Sequence, residues 1–394
     1  MTVYLDHAAS APLRAEVLEQ MLPHLTGEQA NPSSPHGPGR RARKALDEAH
    51  ERLGQSIGAE PRSLIFTSGG TEAINLAVKG AAWAGKAAGH RIITSAVEHK
   101  AVLESCLLLE KYGFDVRKLP VDRYGRVDPD DLSSAMSDKT ILVSLQLANN
   151  EVGTIQPIEE LIDRIRTAST ALVHIDAVQA AAQLPIDVET IGADLISFAG
   201  HKVEGPKGVG ALWIRRSTAI LPQVHGGSQE RYRRAGTENV AGAVGMAAAF
   251  ELAASERTTM VPLLTDRRDR LRRELLELDG VELTGHATER LPGSLSVIVR
   301  DMAGEDLVLA LDLEGVACST GSACTTGSAE PSHVLSAMGY PPAEARGALR
   351  FSLGRITTDE DVDAAVRVVP AVVERLRDGQ ARIDASDATE RETP

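Results

Sequence analysis

From about residue 60 to residue 215, short Val/Ile/Leu runs alternate with helix-like segments, and no other feature constrains the fold as much. The runs are Leu64-Ile65-Phe66, Arg91-Ile92-Ile93, Ile141-Leu142-Val143, Leu172 to Ile175, Leu195-Ile196 and Val209 to Ile214. The alternation is the signature of an α/β domain with a mostly parallel sheet. Such a sheet takes its ligand at the carboxyl ends of the strands. A helix-like stretch from about Arg40 to Ile57 follows the Gly/Pro-rich segment Asn31 to Gly39. It is expected to fold onto this domain.

Beyond residue 215, the Ala/Gly-rich Asn239 to Ala254 and the charged Leu263 to Leu278 read as two helices. Strands at Ser294 to Val299 and Leu349 to Ser352, with helices at Glu305 to Leu313 and Asp359 to Leu376, point to a small α+β domain. The expected division is a segment 1–15 joining the small domain, a large domain 16–257, a small domain 258–377 and a polar, disordered tail 378–394.

A 394-residue chain with 43% hydrophobic content can bury a large core. The formal charge of -13 offers no clustered basic face for direct nucleic-acid binding. No apolar run approaches the roughly 18 to 20 residues of a membrane span, and the start lacks the regions of a signal peptide, so a cytoplasmic protein without a membrane partner is expected. Three cysteines without CxxC spacing argue against a disulfide framework and a metal site, and suit a reducing compartment.

The chemistry begins at two strand ends. Asp176 ends the run Leu172-Val173-His174-Ile175, and Lys202 ends the run from Asp194 to His201. A lysine that can form a Schiff base, with a carboxylate that keeps a ring nitrogen protonated, is what pyridoxal 5'-phosphate requires. Lys207 competes for the aldehyde, but it sits in the turn Gly205-Pro206-Lys207-Gly208, whereas Lys202 follows an apolar strand where partial burial exposes its lone pair. Leu64 to Thr67 runs into Ser68-Gly69-Gly70-Thr71-Glu72 and a helical pattern, a place where free N–H groups and the helix dipole can hold a phosphate. Taken alone, a strand, a glycine turn and a capped helix are as often structural.

Three further residues stand out. Cys324 lies in a run of small, turn-forming residues from Cys318 to Ser328, where a thiol is freer to react than in a core; Cys106 and Cys318 read as buried and structural. Arg350 alternates with apolar residues along a strand and could grip a carboxylate through two parallel hydrogen bonds; a structural ion pair is an equal reading. His99 follows a strand end and could stack on a planar ring or move protons, although by itself it is unremarkable.

These motifs together resemble the cysteine desulfurases, the NifS/IscS-type branch of the class V aminotransferase-like enzymes that use pyridoxal phosphate. The resemblance spans nearly the whole chain: Tyr4 to Ser10, Asn31 to Ser34, Thr67 to Asn75, Glu98-His99, Asn149 to Pro157, His174 to Gln179, Ser197 to Gly210, Arg234 to Thr237 and Ser322-Ala323-Cys324. It implies the fold type I architecture of pyridoxal-phosphate-dependent transferases, a large domain with a mostly parallel sheet plus a small α+β domain. It implies that Lys202 forms the Schiff base, Asp176 pairs with the pyridine nitrogen, Gln179 bonds the phenolic oxygen and His99 stacks on the ring. Asn150 would lie beside that oxygen and the substrate carboxylate, and Arg350 would bind the carboxylate of L-cysteine. Gly70, Thr71, His201 and, from a second subunit, Thr237 would hold the phosphate, which implies a homodimer. Cys324 would accept the sulfur and pass it to acceptor proteins.

One position departs from the family. Ala199 stands where a second serine is usual, so a phosphate hydroxyl is missing, which either weakens cofactor retention or is made good by Ser197 or a water. Two other functions fit parts of the chain: a relative of the same fold, such as a selenocysteine lyase or an aminotransferase, and a non-catalytic scaffold for sulfur carriers. An aminotransferase would have no use for Cys324, and a scaffold would be colourless.

Overall fold

The structure is a computed structural model that describes residues 2–27, 30–321 and 331–391, with side chains as far as 379. The chain divides into two compact units. The larger takes Ser10–Asn150 and Thr154–Thr259, the smaller Met1–Ala9, Glu151–Gly153 and Met260–Pro394.

In the larger unit, β2 (Leu64–Thr67), β3 (Arg91–Ser95), β4 (Asp115–Leu119), β5 (Thr140–Gln146), β6 (Leu172–Asp176), β7 (Leu195–Ala199) and β8 (Gly210–Ile214) form one sheet in the order β2-β8-β7-β6-β5-β3-β4. β4, β3, β5, β6 and β7 run parallel, and β8 is antiparallel to both β7 and β2. The carboxyl ends of β2, β3, β5, β6 and β7 therefore share one edge. Every residue of β5, β7 and β8 is buried, because helices cover both faces of a parallel sheet, and this is why these strands read as unbroken apolar runs. The alanine-rich helix Gly70–Gly85 packs on β5 to β8 through Ala73, Ala77, Ala81 and Ala82, which are all buried. β4, with its exposed Arg117 and Lys118, is an edge strand that the apolar pattern does not signal.

In the smaller unit, β1 (Val3–Tyr4) pairs parallel with β11 (Val316–Ala317), and β9 (Val281–Leu283), β10 (Ser294–Val299) and β12 (Ala348–Ser352) form an antiparallel sheet in the order β12-β10-β9. Leu5, Leu271, Leu295, Val297, Leu349, Phe351 and Val369 share its core. Glu151–Gly153 joins this unit because Arg290 donates to the Val152 carbonyl at 2.8 Å and Leu291 N–H donates to the Gly153 carbonyl at 2.9 Å. Gly153 has φ +77, and a side chain there would overlap Ser294.

Two helices run further than the sequence pattern indicates. The segments Asn239 to Ala254 and Leu263 to Leu278 belong to one continuous helix, Val240–Leu276, with Pro262 inside it. Pro262 removes a backbone donor and crowds the carbonyl four residues before it, and the helix formers Leu263 and Leu264 with the Arg-rich stretch beyond carry the helix on. The last helix, Asp359–Arg391, runs beyond Asp378, into the segment expected to be a disordered tail. Ala381, Arg382, Ala385, Ala388 and Arg391 in that segment have the propensity to continue a helix.

Gly210 is level with both Thr67 and Ala199 in the register of the sheet, and a Cβ there would overlap the Gly69 backbone. Gly210→Ala is therefore expected to lower the stability of the larger unit by about 1–3 kcal/mol, measured by chemical denaturation, and to disturb the turn that starts helix Gly70–Gly85.

Candidate active site

Asp176 is the last residue of β6 and is 5% exposed. It stands opposite Ser197 of β7 and Gln146 of β5, so its side chain leaves the sheet on the same face as those residues. Its Oδ1 accepts the Val178 N–H at 3.0 Å. Burial pushes its carboxyl up to about 6, against the opposing pull of that N–H and of the Lys202 charge. Lys202 closes the 3-10 turn Gly200–Lys202 that follows β7 and is half-buried, whereas Lys207 is exposed. The two lysines thus differ as expected, and Lys202 is the one whose charge reaches Asp176. Gln179 follows Asp176 by three residues and is half-buried, as is Asn150 beyond the end of β5.

At the edge of the same unit, helix Gly70–Gly85 starts from Gly69, and Ser68 N–H donates to Glu72 Oε2 at 2.9 Å across its first turn. Gly70 leaves no room for a side chain, since a Cβ would lie 2.9 Å from Val178 Cγ2 and 3.3 Å from Ala199 Cβ. Ala199 therefore sits against the start of this helix. Thr71 and Thr237 are exposed, and the ion pair Arg234–Glu72 at 2.8 Å ties the segment before Thr237 to the same helical turn. His201 is half-buried; its carbonyl accepts the Ala11 N–H and its Nδ1 lies 3.3 Å from Ser10 Oγ. Burial and the charges of Lys202 and Lys207 push its imidazole down to about 4, so it is neutral at pH 7.

Ser197, expected near the phosphate, has a partner inside the sheet. Its hydroxyl is fully buried and lies 2.8 Å from His174 Nε2, while Ser144 Oγ lies 2.8 Å from His174 Nδ1. Burial pushes His174 down to about 3; a ring that stays neutral donates from one nitrogen and accepts at the other. Ser197 is thus engaged in this internal ladder through His174. His99 is engaged as well, since its Nδ1 accepts the Ala101 N–H at 3.0 Å and caps helix Lys100–Lys111. The proton of the neutral ring is thereby assigned to Nε2, and His99 can accept a second proton only by giving up the cap.

In the smaller unit, Arg350 on β12 is 2% exposed. It pairs with Asp6 at 2.7 Å through Nη2, and its Nη1 donates to the Gly321 carbonyl at 3.1 Å. The arginine expected to bind substrate is thus built on an ion pair. Cys318 is buried with its thiol pushed up to about 12, mainly by burial and then by Asp6, and Cys106 is pushed up equally by burial. Both are inert, as expected. Cys324 lies outside the described residues.

The model of the aminotransferase class-V family matches residues 3–365. A cysteine desulfurase IscS of Dictyoglomus turgidum is 50% identical over 376 residues, 95% of each chain. One from Methanosarcina thermophila is 49% identical over 375 residues, 95% of this chain and 93% of its own. A solved NifS-like protein superposes with a TM-score of 0.90 at 37% identity, over 95% of this chain and all of that one. The chain belongs to the cysteine desulfurases of the aminotransferase class-V family. Family membership implies pyridoxal phosphate, and the residues in the larger unit fit it. A nearly dry carboxylate whose charge is disfavoured is a site for a cationic ring nitrogen, Lys202 is the nearby amine, and the start of helix Gly70–Gly85 can receive a phosphate. No described helix is long and apolar enough to cross a membrane.

In the cofactor-free protein, the folded value for Asp176 lies above its ordinary 3.8. The stability it contributes is present below that value and is lost as pH rises through about 6. Asp176→Asn should therefore be more stable than the wild type without cofactor by about 1–3 kcal/mol at pH 7 and equal to it near pH 3, while losing cofactor affinity. In contrast, Ser197→Ala should cost about 1–3 kcal/mol of stability by orphaning His174 and leave the cofactor dissociation constant within about twofold of wild type.

Proposed function

We propose that this chain converts L-cysteine to L-alanine and leaves the sulfur as a persulfide on Cys324, for transfer to acceptor proteins. The observation that carries this reading is the nearly dry Asp176 carboxylate at the end of β6, acted on by the charge of Lys202 beyond the end of neighbouring β7. The 50% identity to a cysteine desulfurase supports it. When bound, pyridoxal phosphate supplies an aldehyde for the substrate amine and a protonated ring that accepts the electron pair left at Cα.

The residues divide the work. Lys202 holds the cofactor at rest, and its freed amine takes the proton from Cα. Asp176 would keep the ring nitrogen protonated, Gln179 would donate to the phenolic oxygen, and His99, with its proton at Nε2, would stack on the ring. Gly70, Thr71 and neutral His201 hold the phosphate, with Thr237 contributed by the second subunit of a homodimer. Arg350 would bind the substrate carboxylate, Asn150 would serve the same group, and orientation of a substrate in this way lowers a barrier by several kcal/mol. The Cys324 thiolate attacks the substrate sulfur. A new S–S bond forms, the Cβ–S bond breaks, and Cβ gains a proton, so that cysteine and the Cys324 thiol become alanine and a persulfide.

In this reading residues 16–257 form the cofactor-binding domain, 258–377 the small domain that carries Cys324, and the enzyme works in the cytoplasm. The sulfur leaves through protein acceptors, and those acceptors decide among iron-sulfur clusters, thiolated tRNA, phosphorothioated DNA and a sulfur-containing metabolite. A cysteine turnover assay, with alanine and sulfide measured separately, tests it. Lys202→Ala should lose alanine formation by at least about a thousandfold, within the range that separates enzymic from uncatalysed rates. Cys324→Ser should keep the cofactor's colour and lose sulfide release. Full sulfide release by Cys324→Ser would refute the persulfide route, and ketoacid in place of alanine would indicate an aminotransferase.

A further inference from the structure

Glu98 is fully buried between the end of β3 and the helix that His99 caps. Ser95 Oγ donates to its Oε1 at 2.6 Å, and the Gln146 N–H donates to the same oxygen at 3.1 Å. These two donors by themselves favour an ionised carboxyl, but complete burial outweighs them and favours the neutral acid. Gln146 is the residue opposite Asp176 in the sheet. Its side chain and that of Asn149 both donate to the Val97 carbonyl, at 2.8 and 2.9 Å. The turn that carries His99 is thus tied to the strand beside Asp176 through Glu98 and Val97, and Asn149 adjoins Asn150.

We propose that Glu98 is a positioning residue of the cofactor site: as a neutral acid it pins the His99 turn to β5 and leaves the negative charge to Asp176. The proposal rests on the assignment of Asp176 to the ring nitrogen. Two carboxyls in a low-dielectric interior do not both ionise readily. The charge of Lys202 favours ionisation of Asp176. Asp176, from β6, is a charged group that faces Glu98 and opposes its ionisation; Cys106, from helix Lys100–Lys111, has its thiol pushed up to about 12, and Ser95 and Gln146 offer dipoles. Burial first, and then Asp176, pushes Glu98 up to about 8. Above that pH Glu98 would become a second buried negative charge, a cost that the turn carrying His99 could relieve only by opening towards water.

The stability that Glu98 contributes is fully present below its ordinary 4.5 and is lost as pH rises through about 8. Glu98→Gln, which keeps the acceptor oxygen and a neutral group, should therefore gain stability relative to wild type between pH 5 and pH 8.

The experiment compares wild type, Glu98→Gln and Asp176→Asn as full-length proteins, without cofactor and loaded with it. Infrared difference spectra of the cofactor-free wild type should show a protonated-carboxyl band at pH 7 that is absent in Glu98→Gln and titrates near pH 8. In the loaded proteins, the wild-type dissociation constant for pyridoxal phosphate should rise at least threefold from pH 7 to pH 9, and that of Glu98→Gln should stay flat. Absence of the band, or a tenfold loss of cofactor by Glu98→Gln at pH 7, overturns the proposal. The infrared result does not depend on the role of Asp176; if Asp176→Asn binds the cofactor as wild type does, it is the ring-nitrogen assignment that fails.

Discussion

A carboxylate held nearly dry at the end of a central strand is the constraint on which the rest of the site depends. Asp176 is 5% exposed, and a charge in such a place is costly unless a cation or several donors meet it. The Val178 N–H and the Lys202 charge reduce that cost in part. A protonated pyridine nitrogen would reduce it further, so that cofactor binding relieves an unfavourable burial already present in the fold. The same burial gives the carboxylate its effect on the ring, because an opposite charge acts most strongly where water does not screen it.

The surroundings of Asp176 are organised to keep its charge the useful one. His174, two residues earlier on the same face of β6, is neutral between Ser144 and Ser197. His201 is neutral at pH 7. A phosphate near His201 would meet a hydrogen-bonding ring and the start of helix Gly70–Gly85, which can supply N–H groups without an ionised side chain. Ala199 lies against that helix start, so the small side chain there is in contact with the backbone expected to hold the phosphate.

Much of this is legible in the sequence because parallel strands buried on both faces must be apolar, and a polar residue that ends such a run stands out. Asp176 and Lys202 are both visible in this way, and so are β10 and the core of β12. β4 is not legible, since an edge strand carries Arg117 and Lys118 without penalty, and neither is the continuity of helix Val240–Leu276 through Pro262. The role of Ser197 is hidden because sequence shows which residue occupies a position and not which partner takes its hydroxyl. The Ser144–His174–Ser197 ladder leaves a trace, namely polar residues at alternate positions in apolar strands, but its partners become apparent only from the register. Arg350 can be read as a ligand or as half of an ion pair, and its pairing with Asp6, 344 residues away, is a long-range contact that local pattern does not encode. Glu98 stands in the sequence only as part of a motif; its burial and its link to Gln146 depend on β3 and β5 being neighbours.

The central claim is that Lys202, and not exposed Lys207, is the amine that meets the cofactor beside Asp176. Borohydride reduction of the protein reconstituted with pyridoxal phosphate, followed by peptide mapping, tests it most directly. One pyridoxyl label per chain, on Lys202, is the predicted result. A label on Lys207, or none on the segment from Asp194 to Gly208, would contradict it.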